Sequence, residues 1–220
     1  MSTEEHKSDE SPKAMPATPD NRARREPRTT SGSAAKLSLG FLTVVESSQH
    51  GLCGGYLLLN SLGRPLEFHC TAPIKPNRAQ EILYGPTLQP FLYGEQIGQT
   101  LLAKSRLQPA IVYTDCEPAL AVREHVELPV VLVLPPEAAA PPDAAAQGSY
   151  HRLDPAHAGP RLVSFSLGQN RVAVSQAFEV DQRNVEQLAA RLGSVFDLRE
   201  PFQRIREAIE EAQRASAVRS

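Results

Sequence analysis

The sequence contains no tryptophan, and aromatic residues make up only 5% of it, which leaves little material for platforms that stack nucleic-acid bases. It has three cysteines, Cys53, Cys70 and Cys116, an odd number with no closely spaced pair. That pattern fits reduced thiols in a cytosol better than a disulfide framework. No apolar run approaches the roughly 20 residues that a membrane helix needs. The opening "MSTEEHKSDESPKAM" lacks the basic start and apolar centre of a secretory leader, so the expectation is a soluble chain in the cytoplasm with no membrane partner. Neither sign of charge dominates: 23 Lys and Arg stand against 25 Asp and Glu, for a formal net charge of −2. Without a global basic field, the overall charge does not support nucleic acid as a partner unless a local patch supplies one.

The chain is long enough, at 220 residues and 41% hydrophobic, for one or two ordinary cores. Residues 1–36 are Ser, Thr, Pro, Ala and charge, with almost no large apolar side chain, and predict a disordered tail. Its cluster of Arg22, Arg24, Arg25 and Arg28 reads as solvated charge. Residues 37–134 predict an α/β domain. "LSLGFLTVVESS" is an apolar, β-branched run that reads as a strand ending near Glu46, and "GGYLLLNSLGRPLEFHC" as two strands about a turn at "NSLGRP". A helical stretch follows, broken once at Gly85-Pro86. Its second half sets Tyr93, Ile97 and Leu101 on one face, beside a strip of Gly94 and Gly98 that would let it lie close on a sheet. "PAIVYTD" and "LPVVLVL" read as buried strands on either side of a short helix, "EPALAVREHV". The predicted order is β-β-β-α-β-α-β.

Residues 135–160, dominated by Pro and Ala, read as a linker, and residues 161–220 as a β-hairpin turning at "GQN" followed by two helices. The first of these helices is expected to start after Asp181. The second opens at Asp197 with Glu200 three residues on and Pro201 in its first turn. Leu198, Phe202, Ile205 and Ile209 then make one apolar stripe, read as core packing or as a docking face for a partner.

Three meander strands followed by helix, strand, helix and strand is the order of the ribonuclease H-like fold, and several words fit it. "VVESSQHGLCGGYLLL" resembles the first hairpin of that family, with an acid ending the first strand and a Gly-rich turn before the second. "NRAQE" resembles the start of its first helix, and "IVYTDC" its fourth strand, which ends in Thr-Asp. The resemblance spans about residues 39–134. It implies two-metal phosphodiester hydrolysis, in which three or four carboxylates hold two divalent cations about 4 Å apart. On this sequence Glu46 stands where the family has Asp, and Asp115 matches directly. The acid of the first helix falls on Gln80, a neutral amide, with Glu81 beside it and Glu95 across the Gly85-Pro86 break. A further acid would have to come from Glu137, Asp143 or Asp154 in the linker. Mg or Mn is the cofactor if this reading holds, and none is expected otherwise. In the more economical reading, Asp115 caps the helix at Glu117 and Glu46 is a solvated hairpin residue.

His50 with Cys53, His69 with Cys70, and Cys116 offer a third possibility, a zinc site or a Cys/His pair, although no CxxC or HxxxH spacing is present. "GLCGG" precedes a strand and has no Lys-Ser or Lys-Thr after it, which excludes a phosphate-cradling loop. The incomplete carboxylate set and the terminal stripe together predict a non-catalytic interaction or assembly module with another protein as partner, with the metal-dependent nuclease as its alternative.

Overall fold

The computed structural model describes residues 37–47, 50–136, 161–190 and 197–217. The basic tail cluster, the linker acids Glu137, Asp143 and Asp154, and most of the Pro/Ala-rich stretch lie outside the described residues. Seven strands form one mixed sheet in the order β3-β2-β1-β4-β5-β7-β6: β1 Ser38–Ser47, β2 Gly51–Asn60, β3 Pro65–Cys70, β4 Ile111–Thr114, β5 Val130–Val133, β6 Leu162–Leu167 and β7 Asn170–Ser175. The first five strands reproduce the ribonuclease H-like order. β1 pairs with β2 antiparallel and with β4 in parallel, with Leu42 opposite Thr114. The C-terminal hairpin extends the same sheet, because β7 pairs with β5.

The meander turn follows from its composition. Asn60 Oδ1 accepts from the amides of Leu62 and Arg64, and Gly63 takes a positive φ of 73° that a side chain would disfavour. Between β3 and β4 the chain is helical but irregular. It runs through α1 Arg78–Tyr84, a 3-10 turn Gly85–Thr87, α2 Leu88–Pro90, a π-helical segment Phe91–Gln99 and α3 Thr100–Lys104. The short helix expected after β4 is a 3-10 segment, Glu117–His125. The hairpin is followed by α4 Val180–Ala189 and α5 Glu200–Ala217. Asp181 lies inside the first turn of α4 rather than ahead of it. Its buried carboxylate takes two hydrogen bonds from Arg123, which pins α4 to the 3-10 segment.

The sheet has an apolar cluster on each face. Leu39, Phe41, Leu57, Tyr113 and Val131 pack with Phe202, Ile205 and Ile209 of α5. Leu42, Val44, Leu58 and Val112 pack with Leu92, Ile97, Leu101 and Val122 of the irregular helices. The apolar stripe of Leu198, Phe202, Ile205 and Ile209 is no docking face: each of the four is at most 4% exposed, buried against the chain's own sheet. A stripe at helical spacing beside a sheet with an open face gains most by covering it.

Gly54 and Gly55 sit inside β2, not in a turn before it. A Cβ on Gly54 would lie 2.1 Å from Cγ2 of Ile97, and one on Gly55 2.3 Å from Cγ2 of Ile205, so helices on both faces cross the strand where it has no side chains. The strip of Gly94 and Gly98 serves the expected sheet contact only through Gly98. Gly94 abuts Ala121 and Val122 of the 3-10 segment, while Gly98 meets Val122 as well as Leu42 of the sheet. Among the described residues, no helix is long and apolar enough to cross a membrane.

Candidate functional site

The parallel register of β1 and β4 decides what can meet at their C-terminal ends. Leu42 lies opposite Thr114, so the next residues along, Thr43 and Asp115, come side by side on the α5 face. Thr43 is fully buried, and its Oγ1 donates to Asp115 Oδ1 at 2.6 Å. The other oxygen, Oδ2, accepts from the Arg206 guanidinium, which α5 carries across this end of the sheet. The capping role expected of Asp115 is therefore not the observed one. Cys116 occupies the cap position of the 3-10 segment without a side-chain cap bond, and both oxygens of Asp115 are turned to partners 72 and 91 residues away.

Glu46 stands three residues beyond Thr43 on β1, about 10 Å farther along the strand. Alternation gives it the parity of Leu42 and Val44, which puts it on the opposite face from Asp115. There it faces Tyr93, whose hydroxyl is pushed up to about 12 by burial, with Cys116 and Glu46 adding to the shift. Glu81 is exposed on α1 and pairs with Arg78 at 2.9 Å. Glu95 belongs to the π-helical segment and lies 3.8 Å from His125. Gln80, on which the family's helix acid falls, is the return member of a capping box with Asn77. A two-metal centre needs several carboxylates on one spot. Asp115 is met there by a threonine and an arginine, and no group of three His, Cys, Asp or Glu that could hold a metal ion occurs among the described residues.

The thiol and imidazole candidates form no group that could hold a metal ion among the described residues. His50 is exposed beside Ser47, with Oγ to Nδ1 at 3.4 Å, and His69 Nε2 lies 3.1 Å from Glu67. Cys53 is buried and donates to the Thr71 carbonyl. Burial, reinforced by the nearby Cys70, raises its pKa. Cys70 is exposed. Burial and the neighbouring Asp115 push Cys116 up to about 11. Raised thiols stay protonated at neutral pH, which is the opposite of nucleophile activation.

Thr43 and Arg206 were not singled out by sequence reasoning. Thr43 could have been found by counting strand alternation against the Thr114-Asp115 end, whereas nothing local marks Arg206.

No family model matches this chain, and no curated protein does. Among solved structures, the catalytic domain of human Endonuclease V is 14% identical, covering 82% of this chain and 85% of its own with a TM-score of 0.45. Human ENDOV matches at 14% identity, with coverage of 84% and 87% and a TM-score of 0.45. Endonuclease V of Ciona intestinalis, in complex with a 24mer DNA containing an inosine followed by a ribo-adenosine, matches at 11% identity, with coverage of 80% and 87% and a TM-score of 0.41. The likeness is one of fold. Against the expectation of a protein partner and no nucleic acid, the similar chains are nucleases, that of Ciona intestinalis solved with DNA.

Proposed function

We propose that the chain is a ribonuclease H-like domain that holds nucleic acid rather than cutting it. The observation that carries this reading is the engagement of Asp115 by Thr43 and Arg206. A cluster of bare carboxylates repels a phosphate until metal ions intervene, whereas the guanidinium of Arg206 offsets the charge of Asp115. The edge of the sheet supplies the local cations that the overall charge lacks. Arg64 and Arg106 are exposed around β3, as is Lys104 at the end of α3. Arg204 of α5, itself paired with Glu200, reaches the Gly63 carbonyl, and Phe68 is 39% exposed on the face of β3 opposite Glu67.

The metal-dependent nuclease is the second reading. It is favoured by one feature of the same pair: the Arg206 side chain is 45% exposed, and so accessible an ion pair is weak enough to be displaced. Mg or Mn would be its cofactor and Asp115 a ligand, but the residues beside Asp115, Thr43 and Arg206, do not fit two metals.

The ligand class to test is DNA, measured by fluorescence anisotropy with labelled single strands and duplexes in chelator and in Mn²⁺. The holding domain binds equally in both, leaves the strands intact, and loses affinity with salt. Changing Arg64, Lys104 and Arg106 together to Ala weakens binding about tenfold or more. Mn²⁺-dependent cleavage that disappears in Asp115→Asn would replace this reading with the nuclease. Absence of binding in every condition would remove nucleic acid altogether.

A further inference from the structure

We infer that the groove between the π-helical and 3-10 segments is a binding site for a small organic cation, an amidine, guanidine or primary amine on a flat or alkyl body. The groove lies away from Asp115, and none of Thr43, Asp115 or Arg206 lines it. Its volume of about 380 Å³ falls in the range that encloses a small ligand. Three separate stretches build it: the helices from Tyr84 to Glu95, the 3-10 segment from Pro118 to His125, and the end of β7 with the turn that carries Phe178.

Charge selects the occupant. The carboxylates of Glu95 and Glu124 line the groove, and no Lys or Arg lines it among the described residues. His125 is 3.8 Å from Glu95, and an imidazole at that distance offsets the carboxylate only when protonated. Shape and ring chemistry point the same way. Tyr84 and Phe91 stack with centroids 4.2 Å apart, forming an aromatic wall whose ring faces attract cations. Phe178, also in the lining, already carries a cation, the Arg123 guanidinium 4.4 Å over its ring. Arg123 is itself committed to Asp181 and to the Val126 carbonyl, so it holds the wall in place and does not satisfy the groove's carboxylates. The segment that presents Phe91 and Glu95 is π-helical over nine residues, a geometry that recurs at functional sites.

The test uses the full chain with benzamidine as the probe and benzamide as its neutral counterpart of the same shape, followed by calorimetric titration and by thermal midpoint. Benzamidine is expected to bind saturably with Kd of about 1 mM or tighter. At about ten times Kd it should raise Tm by roughly 3–5 °C, while benzamide at equal concentration leaves Tm unchanged. The double variant Glu95→Gln with Glu124→Gln, at exposed positions, should keep its own Tm and lose benzamidine affinity at least tenfold. As an independent variant, Phe91→Leu preserves apolar bulk but removes the ring face, and should weaken binding several-fold. Equal binding of benzamide, undiminished binding in the double variant, or no saturable binding up to about 10 mM would each overturn the assignment.

Discussion

The two faces of the sheet are covered in different ways. On one, the regular helix α5 lays Phe202, Ile205 and Ile209 against Leu39, Phe41 and Tyr113, with Val185 of α4 in the same cluster. On the other, the cover is a broken succession of α, π and 3-10 turns brought close by Gly94 and Gly98. A regular amphipathic helix fills its contact surface continuously and leaves only its polar side to solvent. Irregular segments meet at changing angles, and the candidate cation groove opens in the seam between two of them. The regular face thus carries the strand-end pair of Asp115 and Arg206, and the irregular face carries the cavity.

The largest expected effect comes from breaking the regular face. Phe202 is 1% exposed and meets Phe41 edge-on at 5.6 Å, so Phe202→Ala should destabilise the fold by about 3–5 kcal/mol through lost burial and the cavity left behind. Urea unfolding measures this directly, and a loss below about 1 kcal/mol would show that α5 does not anchor the core. Because the groove lies on the other face, groove variants such as Glu124→Gln should leave the same urea midpoint almost unmoved, as surface substitutions generally do.

The glycine pair of β2 compares the faces at a single spot. Gly54→Ala and Gly55→Ala should each cost about 1–3 kcal/mol by overpacking, the first against Ile97 and Leu101, the second against Ile205 and Ile209. The nearest atom in each case is Cγ2 of an isoleucine, which leucine lacks. Ile97→Leu should therefore recover part of the loss in Gly54→Ala and none in Gly55→Ala, and Ile205→Leu the reverse. Rescue without this specificity would mean that the sheet itself shifts, rather than the helix above it.

How much of this was legible in the sequence depended on range. The seven strands and the α5 stripe were readable because their signals are local and periodic: β-branched runs for strands, Leu198 to Ile209 at helical spacing for the helix. The stripe's destination was not, since a helix pattern does not name the surface it covers. Gly54 and Gly55 looked like turn punctuation, yet their role is set by helices more than 40 and 140 residues away that share no sequence word with them. Asp115 looked like a cap for the same reason: Glu117 is two residues off, while its real partners, Thr43 and Arg206, are found only once the strands are paired. The groove is drawn from three stretches, and π-helical geometry has no composition signal comparable to that of strands or α-helices.

The outermost strand of the meander, β3, differs from both faces because it is held largely by polar contacts. Glu67 accepts from the Ser105 hydroxyl and from the amides of Arg106 and Leu107, and pairs with His69. The His69 bond is the foremost cause holding its carboxyl below the ordinary 4.5, at about 2, with the Arg106, Ser105 and Leu107 donors adding to it. A carboxylate whose folded pKa is depressed contributes stability that is complete above the unfolded value and is lost as pH falls through the folded one. Glu67 should thus support the link between β3 and the loop after α3 above pH 4.5 and release it between 4.5 and 2. Urea midpoints of the wild type and of Glu67→Gln, followed across that window, should show the wild type more stable at the upper end and the gap closing toward the lower. A gap that stays constant with pH would assign the effect of the substitution to packing, leaving the edge strand to be held, like the rest of the sheet, by its apolar side chains.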